Sequence, residues 1–290
     1  MDGKKQSNPG AETREAPKRE KIRLNGRMLA APSWVIPGTL ADNCRFLSGK
    51  VDEVGLLFFE QDACLAYGKG DLPLSLADLG LSYHVHLPAD LDWSRPALAA
   101  ENCLRLMDKV DFLKARLAVL HPPTMAPTAV VESSFASADS ATSLTTASTP
   151  DCLQALEVFI NAWQKAGRAA SDIALENTQG CDLLAHTKLI IDSGMNICLD
   201  IGHIFAYAQQ DLSVSHELIA RARLFHLSAP GTGKNKSRHL PLSRLVADEQ
   251  KLVLRLIGMA PPDAAMMPEL FNWADYTASA SLLAKWLCTN

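Results

Sequence analysis

Histidine and carboxylate residues recur along this chain, most of them at the end of a short apolar run. They are His86, His121, Glu176, Asp200, His226 and Glu269, with His203 three residues after Asp200 and His239 in the loop after His226. Imidazole nitrogen and carboxylate oxygen are ligands that proteins offer to divalent metals. Burying such groups is costly unless something compensates. Together they predict a site for one to three divalent ions, and Zn, Mn, Fe or Co all fit these ligands.

Each of these residues taken singly has a simpler interpretation. A lone histidine at a strand end is more often a hydrogen-bonded side chain of the core or rim, and a single carboxylate is commonly a cap or an ion-pair partner. Asp200 and His203 also fit the acidic first turn of a helix. The metal hypothesis depends on the whole set being brought together.

The elements that must position these residues follow from the hydrophobic pattern. Strands are predicted at 28–36, 53–60, 82–87, 116–121, 172–177, 196–202, 224–228 and 264–270. Helices are predicted near 38–48, 73–79, 97–111, 151–167, 181–192, 211–222, 246–258 and 275–287. Such alternation predicts an α/β fold, here a (β/α)8 TIM barrel, with an open doubly wound sheet as the alternative. Because barrels place chemistry at the carboxyl ends of their strands, the polar strand ends favour the barrel.

Composition limits the remaining possibilities. The 290 residues are 48% hydrophobic and 21% charged, which is typical of a globular protein with a sizeable core. Residues 1–22 are polar and predict a disordered tail, and the segment 124–150 is rich in Ala, Ser and Thr and predicts a flexible insertion. We therefore expect a single domain over residues 23–290.

Charge, cysteine usage and hydropathy bear on location and partners. The formal net charge of −4 argues against a nucleic-acid partner. Seven cysteines without a C-x-x-C pair indicate a reducing compartment. The chain begins without the apolar stretch of a secretory leader, and no run is long enough for a membrane helix. A cytoplasmic protein without a membrane partner is expected, and its oligomeric state is left open.

In this order the residues resemble the xylose-isomerase-like, endonuclease-IV-like TIM-barrel superfamily over about residues 28–288. Endonuclease-IV-like enzymes take two histidines from early strands, a Glu in an E-N-T-x-G context, an Asp-x-x-His pair, a further His, an Asp-Arg-His triplet and a final Glu. The matching residues here are His86 (with His84 as its rival), His121, Glu176-Asn177-Thr178-Gln179-Gly180, Asp200 with His203, His226 and Glu269. The triplet reads Ser237-Arg238-His239, so a third ion would lack one anionic ligand.

Four segments are similar to a narrower group, the cobamide-remodeling CbiR branch. They are 31–38, 54–60, 84–88 and 268–271. The resemblance implies a phosphodiesterase-type hydrolase that cleaves the phosphoribosyl bond in the nucleotide loop of cobamides, the vitamin B12-type corrinoids. Its products would be cobinamide phosphate and a riboside of the lower-ligand base, and its partner a corrinoid small molecule.

Roles follow for the matched residues. Glu176 is expected to bridge two ions, one completed by His86 and His121 and the other by Asp200, His226 and Glu269. His203 and His239 would hold a third ion or contact the phosphate. The predicted catalytic residues are Glu176, Asp200 and Glu269, and the predicted substrate-binding residues are Trp34, Glu60, His84 and Arg238. Packing for Trp34, an ion pair for Glu60 and an ordinary surface position for Arg238 are equal alternatives.

Other functions remain open at this stage. A sugar isomerase or epimerase would use Glu176 and Glu269 to exchange a proton at a carbon next to a carbonyl. An endonuclease-IV-like phosphodiesterase would need basic or intercalating loops at the mouth of the barrel. A protein that only binds corrinoid would not need the complete ligand set.

Overall fold

The barrel predicted from the alternating pattern is present in the structure. This computed structural model describes residues 21–124 and 149–289. Within them, eight parallel strands each pair with the next in sequence. The strands are β1 (Ala30–Pro32), β2 (Glu53–Leu57), β3 (Ser82–His86), β4 (Ala118–Leu120), β5 (Ile173–Glu176), β6 (Asn196–Asp200), β7 (Ala222–Leu227) and β8 (Ala265–Pro268). A bridge between Leu29 and Met266 brings β8 next to β1 and nearly closes the sheet. The TIM-barrel prediction is confirmed and the open-sheet alternative is wrong.

Helices surround this barrel. They are α1 (Leu40–Leu47), α2 (Gln61–Leu65), α3 (Pro96–Lys109), α4 (Thr149–Lys165), α5 (Thr187–Ser193), α6 (Ile201–Ala206), α7 (His216–Ile219), α8 (Ala247–Met259) and α9 (Trp273–Thr289). Local signals explain several ends. Thr39 and Asp42 form a capping box at the start of α1, and Pro96 opens α3. Gly194, with a φ of 82°, ends α5 in the left-handed conformation.

The structure corrects two helix predictions and adds two short helices. The predicted helix 73–79 is a 3₁₀ helix at Leu74–Leu79. The predicted helix 211–222 is a 3₁₀ turn at Gln210–Val214 followed by the short α7, because β7 already begins at Ala222, where it pairs with Ile197. The sequence pattern missed α2 and α6 because each is too short to show helical periodicity.

The interior of the barrel explains how the polar strand ends are positioned. Its apolar cluster comprises Ala30, Leu117, Val119, Ala174, Cys198, Leu224, Ala265 and Met267. Side chains along a strand alternate between its two faces, so a residue two positions further also faces inward. Glu176, Asp200, His226 and Glu269 each stand two positions after a member of this cluster. They therefore form the next layer inside the barrel, at its carboxyl-terminal end.

Parts of the predicted organisation lie outside the described residues. These parts are residues 1–20 of the predicted tail and residues 125–148 of the predicted insertion. Helix α4 begins at Thr149, two residues before the predicted helix. The assignment of residues 23–290 to one domain stays a prediction. Among the helices that the structure describes, none is both long and apolar enough to cross a bilayer.

Candidate metal centre

Two histidines from neighbouring strands meet one carboxylate oxygen. His86 ends β3 and His121 directly follows β4. The Nε2 atoms of His86 and His121 lie 3.3 and 3.2 Å from Oε2 of Glu176 at the end of β5. One donor atom from each of the three residues lies within 4.8 Å of the others, which is close enough for a shared cation. The structure thus brings together the ligands predicted for the first ion.

A second cluster shares Glu176. Donor atoms of Glu176, Asp200, His226 and Glu269 all lie within 4.8 Å of one another, and all four residues are buried. His226 Nδ1 is 3.0 Å from Oε1 of Glu176 and 3.3 Å from Oε2 of Glu269. Cys198 lies beneath, and burial raises the pKa of its thiol to about 12, so it remains a neutral neighbour. Glu176 therefore stands between both groups of predicted ligands.

Three of the predicted histidines are oriented by backbone carbonyl groups. Each places its Nδ1 near a carbonyl oxygen: His86 at 2.9 Å from Leu87 O, His203 at 2.8 Å from Asn177 O and His239 at 3.1 Å from Glu269 O. An imidazole that donates its Nδ1 proton to such an acceptor keeps the lone pair of Nε2 for a metal. This arrangement fits the ligand role better than the interpretation of these histidines as core residues.

His203 and His239 occupy the rim of the centre. His203 Nδ1 lies 3.6 Å from Oδ2 of Asp200, and His239 Nδ1 lies 3.3 Å from Oε2 of Glu269. Their ring centroids are 6.1 Å apart, and neither residue belongs to the tight donor clusters. Their positions fit a weaker third ion or contacts to a substrate phosphate.

The side chain of Asn177 connects the ends of β5 and β6. Its Nδ2 donates to the carbonyl oxygen of Asp200 at 2.9 Å, and its Oδ1 accepts from the amide of Asp200 at 2.7 Å. Nδ2 also donates to Oε1 of Gln209 at 2.9 Å, and Gln209 donates to the carbonyl of Thr178 at 2.7 Å. This buried network fixes the distance between Glu176 and Asp200. Sequence reasoning gave Asn177 a place in the motif but missed Gln209, which is distant in sequence.

Asp200 serves the helix and the centre at the same time. Its Oδ1 accepts from the backbone amide of His203 at 2.6 Å, so Asp200 is the N-cap of α6. A Cβ at Gly202 would lie 2.4 Å from Oγ of Ser228, so only glycine lets β7 approach the first turn of this helix. The helix-start interpretation of Asp-x-x-His is therefore correct, and it leaves Oδ2 for the centre.

The carboxylates and imidazoles of the centre shift one another's pKa values. Burial raises the pKa of both Glu176 and Glu269, but the neighbouring imidazoles outweigh burial and hold both pKa values well below the usual range. Against the effect of burial, nearby Glu269 raises the pKa of His239 to about 9, and the carboxylates of Glu269 and Glu176 raise that of His226. Burial raises the pKa of Asp200, and the Glu176 and Glu269 carboxylates add to this effect.

Three buried atoms of the centre have no hydrogen-bond partner among the described residues. They are Oε2 of Glu176, Oδ2 of Asp200 and Nε2 of His226. An unpaired buried polar atom costs folding free energy. Cations bound between these side chains would compensate Oε2 of Glu176 and Oδ2 of Asp200, so the residues present fit a divalent metal centre.

His84 lies deeper in the barrel than predicted. It is fully buried, its Nδ1 is 2.5 Å from Oε1 of Glu53, and Glu53 also pairs with Arg116. A Cβ at Gly55 would lie 2.5 Å from Nε2 of His84, so the glycine makes room for the ring. His86 lies in the layer between His84 and the mouth, so this buried position does not favour the substrate contact predicted for His84, which stays a prediction. Of the two histidines, His86 is the one placed to act as a metal ligand.

The other predicted substrate-binding residues are all exposed. Trp34 follows β1, Glu60 precedes α2, and Arg238 lies beside His239. The packing alternative for Trp34 does not fit, since 43% of this residue is exposed. Sequence analysis overlooked Phe59 and Phe271, which are similarly exposed. The available signal was that each, like Trp34, comes just after a strand end.

A cavity of about 280 Å³ lies beside the centre, under the loops that follow β4, β5 and β6. Its lining includes Pro123, Cys181, His186, Tyr207 and Gln209. The ring of Tyr207 is 5.3 Å from that of His203, which places this cavity next to the rim rather than over the two donor clusters.

Comparisons with known proteins give the fold. No family model and no curated protein matches the sequence. A D-tagatose 3-epimerase-like protein of solved structure is 17% identical over 90% of this chain and 97% of its own, with a TM-score of 0.64. A xylose isomerase-like TIM barrel protein from Mycobacterium smegmatis in complex with magnesium is 11% identical (90% and 97% covered, TM-score 0.58). The IOLI protein with a bound zinc atom is 12% identical (90% and 95%, TM-score 0.57). At such identities, these matches show the fold alone, a TIM barrel.

Proposed function

We propose that this chain is a metal-dependent hydrolase that cleaves the phosphoribosyl bond in the nucleotide loop of cobamides. One observation carries the proposal: two donor clusters, one with His86 and His121 and one with Asp200, His226 and Glu269, share the carboxylate of Glu176. A shared carboxylate suits two neighbouring ions, an arrangement used by phosphate-ester hydrolases. The cobamide part of the proposal rests on the resemblance of the four strand-end segments.

The protein's own groups divide the work. Bound divalent ions supply an activated water and neutralise charge on a phosphoryl oxygen. Glu176 and Glu269 would hold these ions, since their low pKa values keep them ionised at neutral pH. His203 and His239 lie at the rim, where a substrate phosphate would be in reach, and exposed Arg238 can pair with the same phosphate. These residues thereby orient the phosphate over the ions.

The bond changes balance with water as the only co-reactant. The oxygen of water bonds to phosphorus, and the bond between phosphorus and the ribose oxygen breaks. The new oxygen and one proton of the water stay on cobinamide phosphate, and the riboside leaves with the other proton. Asp200, predicted as a catalytic residue, would hold a bound ion through its Oδ2.

A second candidate is a sugar epimerase or isomerase. Glu176 and Glu269 both approach Nδ1 of His226, at 3.0 and 3.3 Å, and two convergent carboxylates suit proton exchange next to a carbonyl. The likeness to a D-tagatose 3-epimerase-like protein points the same way. We favour the hydrolase because a one-metal isomerase has less use for His86 and His121. The net charge of −4 disfavours the endonuclease alternative.

The hydrolase is tested with purified protein and a cobamide, with Zn²⁺, Mn²⁺, Fe²⁺ or Co²⁺ added separately. We expect chromatography and mass spectrometry to show cobinamide phosphate and a riboside, with ¹⁸O from labelled water in the phosphate. Glu176→Gln should abolish turnover. Glu101→Gln, an exposed carboxylate on α3, is the matched control and should leave turnover unchanged.

Two results would decide against this function. Cobamide that stays intact with every metal, with and without reductant, rejects the substrate. Deuterium uptake from D₂O into D-tagatose or D-fructose, lost in Glu176→Gln, assigns the epimerase instead. A cytoplasmic location and a corrinoid as the partner, without nucleic acid or membrane, belong to the same proposal.

A further inference from the structure

Three large aromatic side chains stand exposed at the mouth of the barrel. Trp34 follows β1, Phe59 follows β2 and Phe271 follows β8, and their exposed fractions are 43%, 50% and 41%. These strands are neighbours around the barrel. The three side chains therefore occupy one continuous side of the mouth, which we name the aromatic ridge.

The aromatic ridge reaches the metal centre without a break. The ring centroids of Trp34 and Phe59 are 6.0 Å apart, and those of Phe59 and Phe271 are 6.3 Å apart. The ring of Phe271 in turn lies 5.5 Å from the ring of His239, whose Nδ1 is 3.3 Å from Glu269. A ligand that covers the ridge would thus have its edge at the rim of the centre.

Exposure of these rings is unfavourable in the free protein. Soluble proteins rarely leave contiguous apolar surface open unless it binds something. The edge-to-face contact of Trp34 with Phe59 restrains the two rings, so little side-chain entropy is lost when a ligand covers them. Restrained aromatic rings bind flat surfaces without strongly polar groups.

We propose that the aromatic ridge binds the flat, apolar face of a broad ring system in the substrate while the scissile phosphate bond lies over the metal centre. This inference rests on the proposed function and names the part of the substrate that the protein recognises. A furanose or pyranose ring would cover one of the three side chains, whereas a macrocycle covers all of them. The phosphate would then face His203, His239 and Arg238.

The experiment measures binding without turnover. Cobinamide, which has the corrin macrocycle and lacks the nucleotide, is titrated into metal-free protein and followed by quenching of tryptophan fluorescence. Trp34→Phe identifies the part of the signal that comes from Trp34. Phe59→Ala is the test variant, since its ring contacts are with Trp34 and Phe271 and with no predicted metal ligand. We expect it to weaken binding about five-fold.

Two further variants separate ring recognition from general apolar contact. Phe59→Tyr keeps the ring and should restore the affinity of the wild type. Leu74→Ala removes a side chain that is 69% exposed before β3, at the opposite end of the barrel, and should change nothing. Circular dichroism and thermal unfolding verify that each variant is folded.

The outcomes distinguish this inference from the proposed function. If Phe59→Ala and the wild type bind cobinamide with equal affinity, the proposal that the aromatic ridge binds the ring system is overturned, whether or not cobamides are hydrolysed. If the protein binds D-tagatose through Phe59 and does not bind cobinamide, the aromatic ridge binds a sugar and the proposal is overturned as well. Ridge-dependent binding of cobinamide in a protein that hydrolyses no cobamide supports the ridge and rejects the hydrolase.

Discussion

The amide of Asn177 provides the sharpest test of whether the protein preorganises its metal centre. Asn177→Leu keeps the side-chain volume but removes the two hydrogen bonds to the backbone of Asp200, at 2.9 and 2.7 Å, and the 2.9 Å bond to Gln209. Asn177 is fully buried, so water cannot replace these bonds. Each unsatisfied group costs about 1–3 kcal/mol. Allowing for relaxation, we expect unfolding free energy to fall by about 3 kcal/mol.

Two measurements follow from this change. Urea unfolding of metal-free protein gives the stability loss directly, and the corresponding decrease in Tm is roughly 6–12 °C for a chain of this size. Calorimetric titration with Zn²⁺ gives the second quantity. Because Glu176 and Asp200 would no longer be held at a fixed separation, we expect metal affinity to fall about 10- to 100-fold.

A control at the start of β6, the strand that ends at Asp200, separates this effect from any loss of an asparagine. Asn196 donates to the carbonyl of Ser171 at an exposed position. Asn196→Leu should therefore cost less than about 1 kcal/mol and leave metal affinity unchanged. If Asn177→Leu binds zinc as tightly as the wild type, the hydrogen bonds of Asn177 do not position the predicted ligands and the reasoning is refuted.

Three further predictions concern the barrel interior and the rim. Gly55→Ala places a Cβ 2.5 Å from the buried ring of His84 and should lower the unfolding free energy by about 1–3 kcal/mol. Its control is Gly258→Ala on α8, where a Cβ would meet nothing within 4 Å, and this change should raise the unfolding free energy by up to about 1 kcal/mol. Equal effects of the two variants in thermal unfolding would contradict this prediction. Burial opposes ionisation of Glu53, but His84 and Arg116 lower its pKa to about 2, below the ordinary 4.5. Its contribution is present above pH 4.5, so the stability difference between wild type and Glu53→Gln should shrink as pH falls towards 2; a constant difference in urea unfolding would refute this. Because the pKa of His239 is about 9, a metal that binds it must displace a proton. Metal affinity should therefore increase with pH up to about 9, and binding at pH 7.5 should release protons. Calorimetry in buffers of different ionisation enthalpy measures this release, and no net release would contradict the prediction.

The choice between His84 and His86 shows where sequence reasoning reached its limit. Both lie on the inward face of β3, because they are two residues apart, so strand alternation does not separate the preferred ligand His86 from its rival His84. Only the position along the barrel axis separates them: His86 reaches the layer of Glu176, whereas His84 pairs with Glu53 one layer below. Depth of this kind depends on the stagger of neighbouring strands, which closure of the barrel determines.

The contact between Asn177 and Gln209 and the aromatic ridge could not be predicted from the sequence, for a related reason. Gln209 is 32 residues from Asn177, and hydrophobic periodicity does not reveal a single hydrogen bond over that distance. Phe59 and Phe271 are of a residue type that is usually found in the core, and aromatic residues after strands are commonly buried. Their exposure is a property of the barrel mouth, where the loops of β8, β1 and β2 leave one side uncovered.

The sequence by itself determined the parallel barrel and the inward positions of the ligands. Alternation of apolar strands and amphipathic helices specifies the fold, and the two-residue period of a strand specifies which side chains face the axis. Tertiary structure decided which of those side chains share a layer, which histidines take a backbone acceptor, and which aromatic rings remain exposed. These features depend on strand stagger and on contacts between residues far apart in the chain, neither of which local pattern contains.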